Sequence, residues 1–148
     1  MKKNLELCQR SEDYYCTVGL GPCRSKEAFR GHLPDTCYDI TKVLAPEKRK
    51  ELIKVYFKQY EEIIESAPPG KIVAIGRCGF DFDRLHYADK TCQQEVFEAH
   101  FDLAEKYSLP MYFNLRRANK EFEELITKNR HRFSTGVVHS FTGTVAEM

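Results

Sequence analysis

The residues best suited to chemistry stand together in KIVAIGRCGFDFDR, residues 71–84. An apolar stretch there meets a glycine turn and then presents Asp81 and Asp83, with Arg77 just before them. In a parallel α/β protein the carboxyl ends of strands are where reactive side chains are placed. Three more apolar runs end the same way: TVGLGPC (17–23), PMYFNLRR (110–117) and TGVVHSFTGT (135–144). They bring Asn114, Arg116 and Arg117 to one strand end and His139, beside Ser140, to another. Carboxylate and imidazole on separate strand ends are donors for a divalent cation that activates water, and a guanidinium grips phosphate as a planar fork. Each residue also has a plainer reading. Asp83 serves equally as a loop cap, a lone histidine such as His139 is usually structural, and Arg77 either pairs with Asp81 or holds a phosphate. Arg117 reads as a solvated loop residue, and His32, His86, His100 and His131 lack ligand spacing and read as structural or exposed.

The elements that must position these groups follow from periodicity. Residues 4–10 carry Leu5 and Cys8 at helical spacing, and 14–19 form an aromatic and β-branched strand ending at Gly19. Gly21 and Pro22 open a long loop over 20–42. Pro46 starts a helix in which Leu52, Val55, Tyr56, Gln59, Ile63 and Ile64 recur near the 3.6 period until Pro68, Pro69 and Gly70 end it. Its charged residues between 47 and 65 read as a solvated face. A short apolar strand at 72–75, of the kind helices cover on both faces, is followed by a helix over about 92–107 with Val96, Phe97, His100, Phe101 and Ala104 on one side. A strand at 109–115, a helix at 119–129 and a strand at 136–141 complete the chain. Strand and helix alternate throughout, so right-handed crossovers give a parallel sheet. The fold class is α/β, a parallel (β/α) repeat unit with about four of the eight strands a TIM barrel needs, half of a metallohydrolase barrel.

Composition narrows the function classes. The 148 residues, 42% hydrophobic and without an apolar run near the ~20 residues that span a bilayer, read as one soluble domain over 1–148 with no membrane function. Net charge is +1, from 23 basic and 22 acidic residues interspersed, so anion binding has to be local. Six cysteines show no CxxC pair and the start of the chain has no signal-peptide pattern, so they are expected to be reduced thiols in the cytoplasm or nucleus. Cys16 is expected in the core, and Cys23 and Cys78, at strand ends, as small buried hydrophobes in preference to reactive groups or soft-metal ligands.

Laid side by side, the strand ends resemble the TatD family of metal-dependent deoxyribonucleases, which are amidohydrolase-like TIM barrels. The likeness covers nearly the whole chain. It is carried by VAIGRCGFDFDRLHY (73–87), LPMYFNLRRANKEF (109–122) and NRHRFSTGVVHSFTGT (129–144), supported by YYCTVGLGP (14–22). The resemblance implies that these segments are strands three to six of the barrel. It also implies that the family's metal-bridging glutamate falls on Arg77, one histidine ligand on Asn114 and another on Gly21, while His139 is retained. A TatD-like nuclease homologue is therefore expected, hydrolysing phosphodiesters if active, with catalysis impaired or lost. Asp81 and His139 are the expected catalytic residues and, with Asn114 as a weak third, the ligands of any divalent Mg, Mn or Zn. Arg116, which matches the arginine after the family histidine, and Arg77 are the expected phosphate contacts. The implied partners are DNA or nucleotide phosphate, and a second copy or complementing chain that supplies the missing strands. The alternative is a non-catalytic phosphate-binding module.

Overall fold

The computed structural model describes residues 2–34 and 36–147. Four strands, β1 (Cys16–Val18), β2 (Ile72–Asp81), β3 (Met111–Arg116) and β4 (Gly136–His139), form one parallel sheet in the order β1-β2-β3-β4. Helix α1 (Lys2–Gln9) precedes the sheet, and α2 (Pro46–Ser66), α3 (Lys90–Tyr107) and α4 (Asn119–Asn129) make the crossovers. Each right-handed crossover steps the same way along the sheet, so the helices collect on one face, as in a barrel wall and unlike a doubly wound sheet.

Strand β3 shows which face that is. Met111, Phe113 and Leu115 are buried, and the Phe113 ring packs edge-on against Phe97 of α3 and Phe122 of α4. Tyr112, Asn114 and Arg116 alternate with them and point away from the helices. Register carries that second face across the sheet: Tyr112 pairs with Val137 and Asn114 with His139 on β4, and Gly79 with Asn114 on β2.

Strand β2 runs to Asp81 and does not end at residue 75. Its glycines carry the strand past β3 at close range where they were expected to terminate it. The register slips between Gly76 and Cys78, a bulge that inserts Arg77 and leaves it exposed while Cys78 returns to the core. At the other end of the sheet, β4 stops at His139 because Ser140 turns into the left-handed region, φ 61°.

Three further expectations are corrected. In α2 the buried stripe is Leu52, Ile53, Phe57, Tyr60 and Ile63, whereas Val55 and Gln59 are exposed. The charged run of that helix holds one buried member, Arg49, whose Nε and Nη2 lie 2.8 and 2.6 Å from the carboxylate oxygens of Glu95 on α3, with Nη1 donating to the Leu44 carbonyl. The pair is bidentate and fastens α2 to α3. Nor are all the cysteines thiols: α1 packs on β1 and brings buried Cys8 to Cys16, with which it forms a disulfide. Cys23, Cys37, Cys78 and Cys92 are free, and all but Cys23 are buried.

The long loop after β1 is anchored by two 3₁₀ segments, Pro22–Phe29 and Ile40–Lys42, which bury Phe29 and Ile40 completely. Asp89 joins this loop to α3, since its side chain accepts from the Cys92 N–H as helix cap and from the Ile40 N–H. Among the described residues no helix is long and apolar enough to cross a membrane.

Candidate functional site at the strand ends

The uncovered face of the sheet carries the polar residues in rows. Gly79, Asn114 and His139 share one row, and Asp81 and Arg116 the next towards the strand ends. Asn114 is buried and its amide Nδ2 donates to the Phe80 carbonyl over 2.9 Å, which orients the amide and leaves Oδ1 as its acceptor. His139 is exposed, with Nδ1 2.7 Å from the Ser140 hydroxyl and its ring edge-on to Tyr112.

Asp81 is held from α3. Fully buried Gln93 accepts from the Asp81 N–H (2.8 Å) and donates to the carbonyls of Asp81 (3.0 Å) and Ala88 (2.9 Å). The Asp81 carboxylate is only 4% exposed; Oδ2 lies 3.6 Å from the Cys23 thiol and 3.6 Å from Arg84 Nη1, and Oδ1 has no hydrogen-bond partner. Burial and the neighbouring Asp81 charge both push the Cys23 thiol above its ordinary pKa, so it stays protonated and donates to the carboxylate. Asp81 thus faces the β1 side, and β3 stands between its strand and that of His139. Asp83 does not cap: it bridges Arg116 Nε (2.6 Å) and Arg117 Nε (3.0 Å).

Arg77 is placed differently from these arginines. Its side chain lies over Gly21, at which an added Cβ would sit 3.7 Å from Nη2 and 3.8 Å from Nε. Among the described residues it forms no ion pair, with Asp81 or any other acid. The loop that carries Gly21 is pinned at the preceding residue, where the Leu20 N–H donates to Nε2 of fully buried His100 (2.9 Å). The other ring nitrogen is 2.8 Å from the Val96 carbonyl, so His100 is the neutral Nδ1–H tautomer, and burial lowers its pKa to about 4. His100, expected to be structural or exposed, is structural, and Gln93 is a buried residue that sequence reading does not single out. The signal for both is a polar side chain on the apolar stripe of α3, which has to find a partner.

These donors do not fit a divalent ion. Among the described residues no three His, Cys, Asp or Glu side chains gather to hold one. The carboxylate nearest the strand ends turns to Cys23 and Arg84, and a guanidinium occupies the bulge.

A singly wound parallel sheet, helices on one face and polar groups at the carboxyl strand ends of the other, defines a segment of a (β/α) barrel. The chain matches the model of the TatD related DNase family over residues 1–148 and belongs to that family. It is 32% identical over 97% of its length to the deoxyribonuclease Tat-D of Schizosaccharomyces pombe, of which it covers 41%. It is 35% identical over 60% of its length to the 3′-5′ ssDNA/RNA exonuclease TatD of Escherichia coli K12, of which it covers 34%. An amidohydrolase from Saccharomyces cerevisiae superposes with a TM-score of 0.72 at 22% identity, covering 99% of this chain and 49% of that one, a likeness of fold. A TatD family hydrolase from Entamoeba histolytica gives 0.65 at 26% identity, with 99% and 42% covered. The chain therefore spans less than half the length of these relatives.

Proposed function

We propose that this chain keeps the nuclease family's fold and its attraction for nucleic-acid phosphate but has lost metal-assisted phosphodiester hydrolysis. The observation that carries the reading is the guanidinium of Arg77 in the β2 bulge, where the resemblance calls for a metal-bridging carboxylate. A fixed positive charge there opposes a divalent cation, and Arg cannot give up its proton to relieve the repulsion. His139 and the Asn114 carbonyl, adjacent in register, are left as two weak donors, with Asp81 on the far side of β3. Arg116 is a secondary phosphate contact, because Asp83 neutralises only one of the two charges on Arg116 and Arg117.

Titration of the folded, chelator-stripped chain with manganese is expected to give no binding near micromolar affinity, and single-stranded DNA is expected to survive incubation with magnesium or manganese. Arg77→Glu removes the repelling charge and adds a donor, so manganese affinity is expected to rise at least about tenfold. Tight manganese binding by the unaltered chain, or chelator-sensitive DNA cleavage, refutes the reading.

A specific observation also supports assembly with a second copy or a complementing chain. Parallel sheets are normally buried on both faces, yet Val137 on the helix-free face is 66% exposed and every residue of β4 is exposed. A two-fold axis along the strands would set β4 of one copy beside β1 of the other, with all eight strands parallel. Sedimentation at micromolar concentration is expected to give twice the chain mass, and Val137→Lys the single mass. A monomer at all concentrations rejects this assembly.

A further inference from the structure

We infer that Arg77 and Gly21 act as a matched pair that makes the strand-end site a metal-free seat for a nucleic-acid phosphate, the guanidinium supplying the positive charge. This rests on the loss of hydrolysis proposed above and specifies how the retained site takes its ligand.

Three features of the chain converge on that pair. The bulge within β2 delivers the Arg77 side chain out of the sheet towards the loop that follows β1, while the residues on either side remain buried. Gly21, with ordinary extended backbone (φ −66°, ψ 152°), leaves space for the guanidinium, whose Nη2 and Nε lie in van der Waals range of its missing Cβ. A side chain longer than alanine would stand in that space. Because φ at Gly21 suits any residue, the glycine is needed here for room and not for backbone freedom.

The third feature is charge. Arg84 lies against Asp81, and Arg116 and Arg117 share Asp83, so the neighbouring arginines are partly neutralised. Arg77 has no such partner among the described residues and is exposed. Its planar fork matches two oxygens of a phosphate, and its charge persists across the accessible pH range. Asp81, the carboxylate that ends the same strand, faces Cys23 and Arg84 and so does not quench it. The Leu20–His100 hydrogen bond holds the glycine under the guanidinium and pre-orders the seat. The ligand chemistry is a phosphate, either an internal diester or a terminal monoester of a single strand.

The test is fluorescence anisotropy with a 3′-labelled single-stranded oligodeoxynucleotide, with and without a 5′-phosphate, in excess chelator. The folded chain is expected to bind, with an affinity unaffected by added magnesium. Arg77→Gln should weaken binding about tenfold to a hundredfold and lower the slope of log affinity against log salt by about 0.7. Arg77→Lys should fall between, since it keeps the charge and loses the fork. Gly21→Leu, which leaves Arg77 in place but fills its space, should weaken binding comparably; circular dichroism identifies any variant that fails to fold. Stronger binding of the 5′-phosphorylated strand, with competition by inorganic phosphate, assigns the seat to a terminal monoester, and equal binding assigns it to the diester backbone. Binding that requires a divalent ion, an Arg77→Gln variant equal to the unaltered chain, or no binding by the folded chain overturns the proposal. Metal-dependent cleavage of the same strand would instead refute the loss of hydrolysis and leave the metal-free affinity standing.

Discussion

Replacing Gly79 by alanine is expected to cost on the order of 4 kcal/mol, against a total stability of roughly 5–15 kcal/mol for a domain of this kind. Two penalties combine. Gly79 has φ 126°, a conformation L side chains rarely adopt, and a Cβ built on it runs into the backbone carbonyl oxygen of Asn114. That oxygen belongs to β3 at the register position where Gly79 pairs, so it cannot move without parting the two central strands. The change therefore strikes the pairing that presents Asn114 and Asp81 together. Thermal unfolding followed by circular dichroism is the check, with Gly21→Ala as the contrast. At residue 21 the nearest atoms to a new Cβ are 3.7 Å away and φ is ordinary, so the expected loss is below about 1 kcal/mol. Equal melting temperatures for Gly79→Ala and the unaltered chain would mean that β2 and β3 do not approach so closely.

The same glycine marks where sequence reading stopped short. The strand expected over 109–115 and the helix expected over 119–129 form as β3 and α4, because the signals for both are local. In GRCGF the glycines read as the end of a strand, whereas in three dimensions they are what lets β2 continue against β3. Tertiary packing also decided which side of α2 is buried: Arg49 leaves the solvated face because Glu95, 46 residues further on, completes a bidentate pair with it. The disulfide between Cys8 and Cys16 depends on how α1 sits on β1, which spacing in the chain does not reveal.

For the site, strand-end positions were legible and partnerships were not. Asn114 and His139 were expected at strand ends and lie side by side. Arg77 was expected either to pair with Asp81 or to hold phosphate, and the geometry removes the first alternative by giving Asp81 to Arg84 and Cys23. That Gly21 lies under Arg77 depends on the pairing of β1 with β2 and on a loop pinned from α3. Contacts of that range leave no pattern in neighbouring residues.

The pin itself makes stability depend on pH. His100 is neutral in the folded chain with a pKa of about 4, against about 6.5 in an unfolded chain, where water solvates the imidazolium. Above pH 6.5 neither state binds the proton, and the stabilising hydrogen bond from Leu20 is fully present. As pH falls from 6.5 towards 4, the unfolded chain takes up a proton that the folded chain refuses, so stability drops by about 3 kcal/mol over that window and is unchanged by this group below it. Carboxylates titrate nearby, so the diagnostic quantity is a difference between two proteins. His100→Leu leaves the buried Leu20 N–H unpaired and is expected to cost about 2–3 kcal/mol at pH 7.5. Near pH 4 the leucine variant is spared the proton that the unaltered chain must exclude, and the gap should nearly close or reverse. Urea unfolding of both proteins at pH 7.5, 6, 5 and 4 measures the gap directly, and a gap constant with pH would mean that His100 is not held neutral. Because Leu20 adjoins Gly21, acid should release the loop beneath Arg77 first. The folded chain keeps His100 neutral down to about pH 4, so affinity for an unphosphorylated single strand, whose diesters do not titrate in this range, should hold level between pH 6 and 4.5 and fall only as pH approaches 4 in the unaltered chain, a fall absent from the weaker-binding His100→Leu.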